Sequence, residues 1–159
     1  MKRGFTLIEV LIAITVLTVA IVGSFSLIQQ TLIASSLNQS KLTAYYLAQE
    51  GIEIARNIRD SNWLEISVPW DDGLGIGEWE ADYMAEYLDW PYGSGRFLNI
   101  DDNGFYSYSS GTPTKFKRKI TISRISGNAL EVLVRVEWEE RGRSRDVQVA
   151  EHLYNWYGY

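Results

Sequence analysis

Between Phe5 and Ile28 the chain runs for 24 residues without Lys, Arg, Asp, Asn, Gln or Pro, and Glu9 is the one ionisable side chain in that run. As a helix this segment rises roughly 36 Å, enough to cross a hydrocarbon core of about 30 Å. Only helices and closed barrels satisfy their backbone in lipid, so the run constrains the first part of the chain to one helix. A carboxylate in such a helix needs a reason. One reading places Glu9 near the membrane surface, favoured by the helix dipole. The other gives it a cation, supplied by processing or by another chain.

The context of Glu9 narrows the choice. Met1-Lys2-Arg3-Gly4 is a short basic leader, and Phe5-Thr6-Leu7-Ile8-Glu9 opens the apolar run. This string resembles the N-terminus of bacterial type IV pilins and type II secretion pseudopilins. The resemblance implies cleavage after Gly4 by a membrane prepilin peptidase and N-methylation of Phe5. It makes Glu9 the family's assembly glutamate, paired with the Phe5 amine of a neighbouring subunit in the filament. A secretory signal has a shorter apolar core with its small-residue cleavage site after it, whereas here the small residue comes first. An uncleaved signal anchor accounts for Lys2, Arg3 and the span, but not for the Gly-Phe-Thr-Leu-Ile-Glu string.

Lys2 and Arg3 precede the span, and Gln29, Gln30, Ser35, Ser36 and Asn38 follow it. The positive-inside rule then puts the N-terminus in the cytoplasm and everything after Ile28 outside, as a single pass through the cytoplasmic membrane. The formal charge of −5 becomes −7 once Lys2 and Arg3 are lost, which argues against generic binding to nucleic acid or anionic membranes. With no cysteine, an exported domain must rely on its core, its neighbours or a metal. Many major pilins have a C-terminal disulfide loop; its absence, and the segment Leu47 to Arg59, point within the resemblance to a minor pilin or minor pseudopilin.

The helix is expected to continue past the membrane. Gln29 to Ile58 contains no Pro and only Gly51, and Leu37, Ala44, Ala48, Ile52, Ala55 and Ile58 recur at helical spacing. Asp60-Ser61-Asn62 marks the expected end. Many pilins carry a Pro in the membrane half; here Gly23-Ser24 is the soft point instead. Residues 78–90 fit either a strand with a short turn or an amphipathic helix. Arg96 to Ile100 reads as a strand, Asp101 to Gly104 as a turn and Phe105 to Tyr108 as the return. Beyond Phe116 the alternation is strict. Phe116, Ile120 and Ile122 share one face, then Leu130, Val132, Val134, Val136 and Trp138, then Val147, Val149 and Leu153, with turns at Ser126-Gly127-Asn128 and Glu140-Arg141-Gly142. This predicts an antiparallel meander with one covered face.

The expected fold class is therefore α+β and pilin-like, a long N-terminal helix whose outer half packs on an antiparallel β-sheet head. The divisions are a leader at 1–4, a membrane and filament-core half at 5–28, an outer helix at 29–62 and a β-rich head at 63–159.

Enzymatic chemistry is poorly supplied. The chain has one histidine, His152, on a strand without an orienting partner, and no phosphate loop. Asp71, Asp72, Asp101 and Asp102 offer oxygen ligands for calcium, which some major pseudopilins bind, although Asp-Asp-Asn-Gly lacks the calcium-loop spacing. Lys115, Lys117, Arg118, Lys119, Arg141, Arg143 and Arg145 suggest a basic stripe that a nucleic acid would recognise, Lys115, Lys117, Lys119 and Arg143 foremost. Glu131, Glu137, Glu139 and Glu140 on the intervening strand favour cross-strand ion pairs instead. Six Trp and ten Tyr exceed what burial needs, and Trp63, Trp70, Trp79, Trp90, Trp156, Tyr157 and Tyr159 are expected in loops or at the terminus; exposed, they would favour interfaces or glycan contacts, and loops folded onto the sheet are the default. The partners expected from the resemblance are other filament subunits, the prepilin peptidase, an inner-membrane assembly platform and, before assembly, the membrane. The alternative from another class is a signal-anchored domain that binds a glycan or surface ligand and never polymerises.

Overall fold

The computed structural model describes residues 4, 6–65, 67–88 and 90–156; Lys2, Arg3, Phe5, Tyr157 and Tyr159 lie outside them. One helix, α1 (Leu7–Leu64), precedes seven strands: β1 (Gly77–Glu80), β2 (Trp90–Pro91), β3 (Phe97–Ile100), β4 (Tyr106–Ser107), β5 (Thr112–Ser126), β6 (Ala129–Glu140) and β7 (Arg143–Tyr154). The chain divides into two compact units, Met1–Ser40 and Lys41–Tyr159, and α1 contributes to both.

The first unit is apolar helix whose large side chains are exposed from Leu7 to Leu32, Val16 and Phe25 among them, with Ile33 and Leu37 half-buried. It contains a window of mean hydropathy 2.5, none of it buried, long and apolar enough to cross a membrane. Several of its hydroxyls are satisfied within the helix. Thr15, Thr18, Ser24 and Thr31 donate to the carbonyls of Leu11, Ile14, Ala20 and Leu27 at 2.8–2.9 Å. A helix that meets its own polar groups in this way presents lipid with few unsatisfied donors. Gly23-Ser24 stays helical.

The second unit is an antiparallel sheet with the inner face of α1 laid on it. β5 is central: β6 pairs along one edge and β7 pairs beyond β6. β1 and β3 share the other edge of β5, opposite Ile120–Ile122 and Thr112–Lys117 respectively. β2 and β4 extend β1 and β3. Alternation dictates the core: Phe116, Ile120, Ile122, Leu130, Val132, Val134, Val136 and Trp138 are buried, as are Val147 and Leu153. Against them lie Ala44, Leu47, Ala48, Ile52, Ile54, Ala55 and Ile58 of α1. The α+β layout expected from the pattern, and pilin-like by the resemblance, is present. Residues 77–91 take the strand alternative, since β1 ends at Glu80 and a turn leads to β2.

Two details differ from the sequence reading. The helix does not stop at Asp60-Ser61-Asn62 but runs to Leu64. Asn62 is buried, and its side-chain amide donates to the carbonyls of Trp70 at 3.2 Å and Asp72 at 2.9 Å. A residue type that usually ends helices here spends its hydrogen bonds on the following loop instead. Trp63 accordingly lies on the helix, not in a loop, with the Arg59 guanidinium 4.5 Å from its ring centroid.

The second detail is Arg118, which shares the face of Phe116 and Ile120 and is fully buried, not part of a basic surface. Its Nη1 donates to the Leu47 carbonyl at 3.1 Å and to Glu50 Oε1 at 3.0 Å, and its Nη2 to the Ala81 carbonyl at 2.8 Å. The guanidinium fork thus ties α1 to the sheet and to the segment after β1. Gly51 lies beside it: a Cβ there would come within 2.8 Å of Val134 Cγ1 and 3.3 Å of Arg118 Cδ. The helix can approach the sheet this closely only because that position has no side chain.

Candidate functional site

The N-terminal residues form a reciprocal cap. Thr6 donates to Glu9 Oε2 through both its backbone N–H and its hydroxyl, each at 2.9 Å, and Glu9 N–H donates back to Thr6 Oγ1 at 3.3 Å. This is a capping box, Thr-x-x-Glu, in which two side chains satisfy the first free donors of the helix. Glu9 is exposed and sits in the first turn of α1, facing the positive end of its dipole. The sequence reading treated it as a lone acid, although the capping-box spacing before an apolar run was there to be seen. A Cβ at Gly4 would meet nothing within 4 Å. Among the described residues, no packing demands glycine there. Phe5 lies outside the described residues.

The acidic candidates fall into separate loops. Asp71 pairs with Arg124 at 2.6 Å, and Asp72 beside it is exposed. Asp101 Oδ1 accepts the backbone N–H of Asn103 and of Phe105, both at 2.9 Å, closing the β3–β4 turn, with Asp102 exposed. Among the described residues no three His, Cys, Asp or Glu side chains gather as a metal-binding group.

The basic candidates are engaged one by one. Lys115 pairs with Glu140 at 3.3 Å and Lys119 with Glu78 at 2.7 Å, while Lys117 Nζ lies 4.6 Å from the Phe97 ring centroid. Arg143 is exposed at the start of β7, opposite Glu140 in register. His152 is exposed, 3.5 Å from Glu131.

The aromatics are only partly explained by packing. Trp70 is buried, and Trp79 stands in β1 and donates to the Gly75 carbonyl at 2.7 Å. Trp156 meets Trp63 edge to face at 4.8 Å. Trp90 is exposed and shares a guanidinium with Tyr108, Arg96 lying 4.7 Å from both ring centroids. Behind that guanidinium the buried carboxylate of Glu80 accepts Arg96 N–H at 2.6 Å and Nε at 2.5 Å. Sequence reasoning missed this cluster because its members come from β1, β2, the β2–β3 loop and the segment after β4.

Residues 1–25 match the family model described as the prokaryotic N-terminal methylation motif. No curated protein and no solved structure matches the chain. The motif marks a substrate of prepilin peptidase, a structural protein and not an enzyme. With its long apolar helix and α+β layout, the chain carries the prepilin signature of the type IV pilin and pseudopilin family.

Proposed function

We propose that the chain is a subunit, of the minor kind, of a type IV pilus-like or type II secretion pseudopilus filament. In this reading the peptidase cuts after Gly4 and Phe5 becomes the N-methylated first residue. The helix then waits in the cytoplasmic membrane with residues 41–159 outside. An assembly platform draws it from the bilayer into a bundle of helices from other subunits. Glu9 meets the Phe5 amine of a neighbour there, in a medium where a charge pair is worth far more than in water.

The observation that carries this reading is a single carboxylate in the otherwise uncharged, exposed stretch of α1 from Leu7 to Ile28. Thr6 satisfies Glu9 oxygen Oε2 within the free chain, which lowers the cost of holding the acid in the membrane before assembly. A partner cation would neutralise the charge that this hydrogen bonding leaves.

N-terminal mass spectrometry of the protein from its native membrane tests processing, and Glu9→Val tests assembly. The expected wild-type chain begins at N-methylated Phe5. Glu9→Val is expected to be cleaved normally but to enter filaments only at a small residual level. Incorporation at the wild-type level would overturn the assembly role. A chain that keeps Met1 to Gly4 in cells with an active peptidase would favour the signal-anchored binding domain.

A further inference from the structure

The segment 81–88 between β1 and β2 borders a cavity of about 340 Å³, lined among others by Asp82, Met84, Glu86, Tyr87 and Trp90. Its walls are held in place. Leu88 is buried and its N–H donates to the Gly73 carbonyl at 2.9 Å, and the Ala85 N–H closes a turn onto Asp82 at 3.0 Å. The Asp82 carboxylate accepts the backbone N–H of Tyr83 at 2.7 Å and of Tyr108 at 3.3 Å. Glu86, by contrast, has no hydrogen bond or ion pair among the described residues.

The chemistry of this lining is one-sided. The formal charges on it are acidic, and the rest is two aromatic rings, a thioether and small apolar groups. Aromatic faces and a polarisable sulfur attract cations, and a nearby carboxylate completes the match. Trp90 already stacks on one internal cation, Arg96, whose charge is met by Glu80. Beside the cavity Tyr83 stacks on Phe105 at 5.2 Å and 13°, and both are exposed, as are Met84, Tyr87 and Trp90. Tyr, Trp, Met and Arg together are the composition of a protein contact.

We propose that this cavity receives a lysine or arginine side chain of a partner protein, seated between Tyr87 and Trp90 with its charge toward Glu86. The inference does not depend on filament assembly, because all its residues belong to the second unit.

The chain offers its own reporter. Its two methionines are Met1 and Met84, so a [13C-methyl]methionine label places one signal in the leader and one in the cavity, assigned with Met84→Leu. Full-length protein in dodecyl maltoside, a detergent without an ammonium group, is titrated with Nα-acetyl-lysine methylamide. The uncharged Nα-acetyl-norleucine methylamide serves as its control. The expected result is a saturable shift of the Met84 methyl, with the lysine probe binding about two- to fivefold more tightly than norleucine. Glu86→Gln is expected to erase that preference and Tyr87→Leu to weaken lysine binding. Both residues are exposed, so neither change threatens the core. Equal affinity for the two probes, no shift with either, or lysine binding unchanged in both variants would each overturn the proposal.

Discussion

At the scale of single residues, the side chain that most determines the head is Arg118. A buried guanidinium is tolerable only with its acceptors in place, and removing one partner of such a pair commonly costs about 3–5 kcal/mol. Glu50, a third exposed, stands at the wet end of this pair, and two carbonyl acceptors remain without it. Glu50→Ala is therefore expected to lower unfolding stability by about 3 kcal/mol, the low end of that range, measured by chemical denaturation in detergent. An unchanged midpoint would mean the carbonyls alone satisfy Arg118. Tyr108 adds a pH dependence. Burial pushes its phenol up to about 12, and its hydroxyl donates to the Arg118 carbonyl at 3.2 Å. In the unfolded chain the same group ionises near 10. The folded state thus holds its proton where the unfolded state has lost it, and the stability present below about pH 10 drains away between about pH 10 and 12. Tyr92 and Tyr106 are raised as well, chiefly by burial, and act in the same direction. Tyr108→Phe is expected to flatten this alkaline loss, read as the denaturation midpoint against pH. Of these two residues the sequence disclosed little. Alternation puts Arg118 on the buried face, but charge argues for the surface, and only the positions of Leu47, Glu50 and Ala81 explain why alternation prevails.

At the scale of elements, helix and sheet were legible for opposite reasons. The strands β5, β6 and β7 announce themselves because one face is covered and the other is wet, so their period of two is strict. The helix announces itself through the absence of breakers and a narrow apolar stripe. Its end was misread because Asn62 bonds to Trp70 and Asp72, a use that depends on a loop not yet placed when the helix is read alone. The loop after α1 and the β1–β2 segment were the least legible, since their aromatics pack on glycines rather than on a periodic partner. Gly51 shows how close the helix lies. Alanine is the better helix former by about 1 kcal/mol, yet its methyl would press on Val134, whose branched side chain has little freedom to turn away. Gly51→Ala is expected to destabilise the second unit by about 1–3 kcal/mol, again by denaturation. A gain in stability would show that the sheet yields to the methyl.

At the scale of the whole molecule, the functional signature and the fold reside in different parts of the chain. The N-terminal motif was fully readable because it is a local string with a local meaning. The cavity beside Trp90 was hidden, since it is assembled from a turn that fits two secondary structures on paper and becomes concave only once Leu88 is anchored at Gly73. The calcium and nucleic-acid candidates were read from composition. In three dimensions Asp71 meets Arg124, Asp101 closes its own turn, and Lys115 and Lys119 meet carboxylates.

The order of elements also sets a timetable. The helix face from Ala44 to Ile58 is made early, but the side chains that cover it, from Ile120 to Leu153, come last. At about 5–20 residues per second, the roughly 95 residues from Ile58 to Leu153 take about 5–20 s to synthesise. For the first part of that interval, until Ile120 and the residues after it emerge, the apolar stripe of the helix lacks its sheet cover, next to a segment apolar enough to enter lipid. The newborn chain thus passes through a stage in which the membrane surface competes with its own unfinished sheet for that stripe, and the arrival of β7 ends the contest.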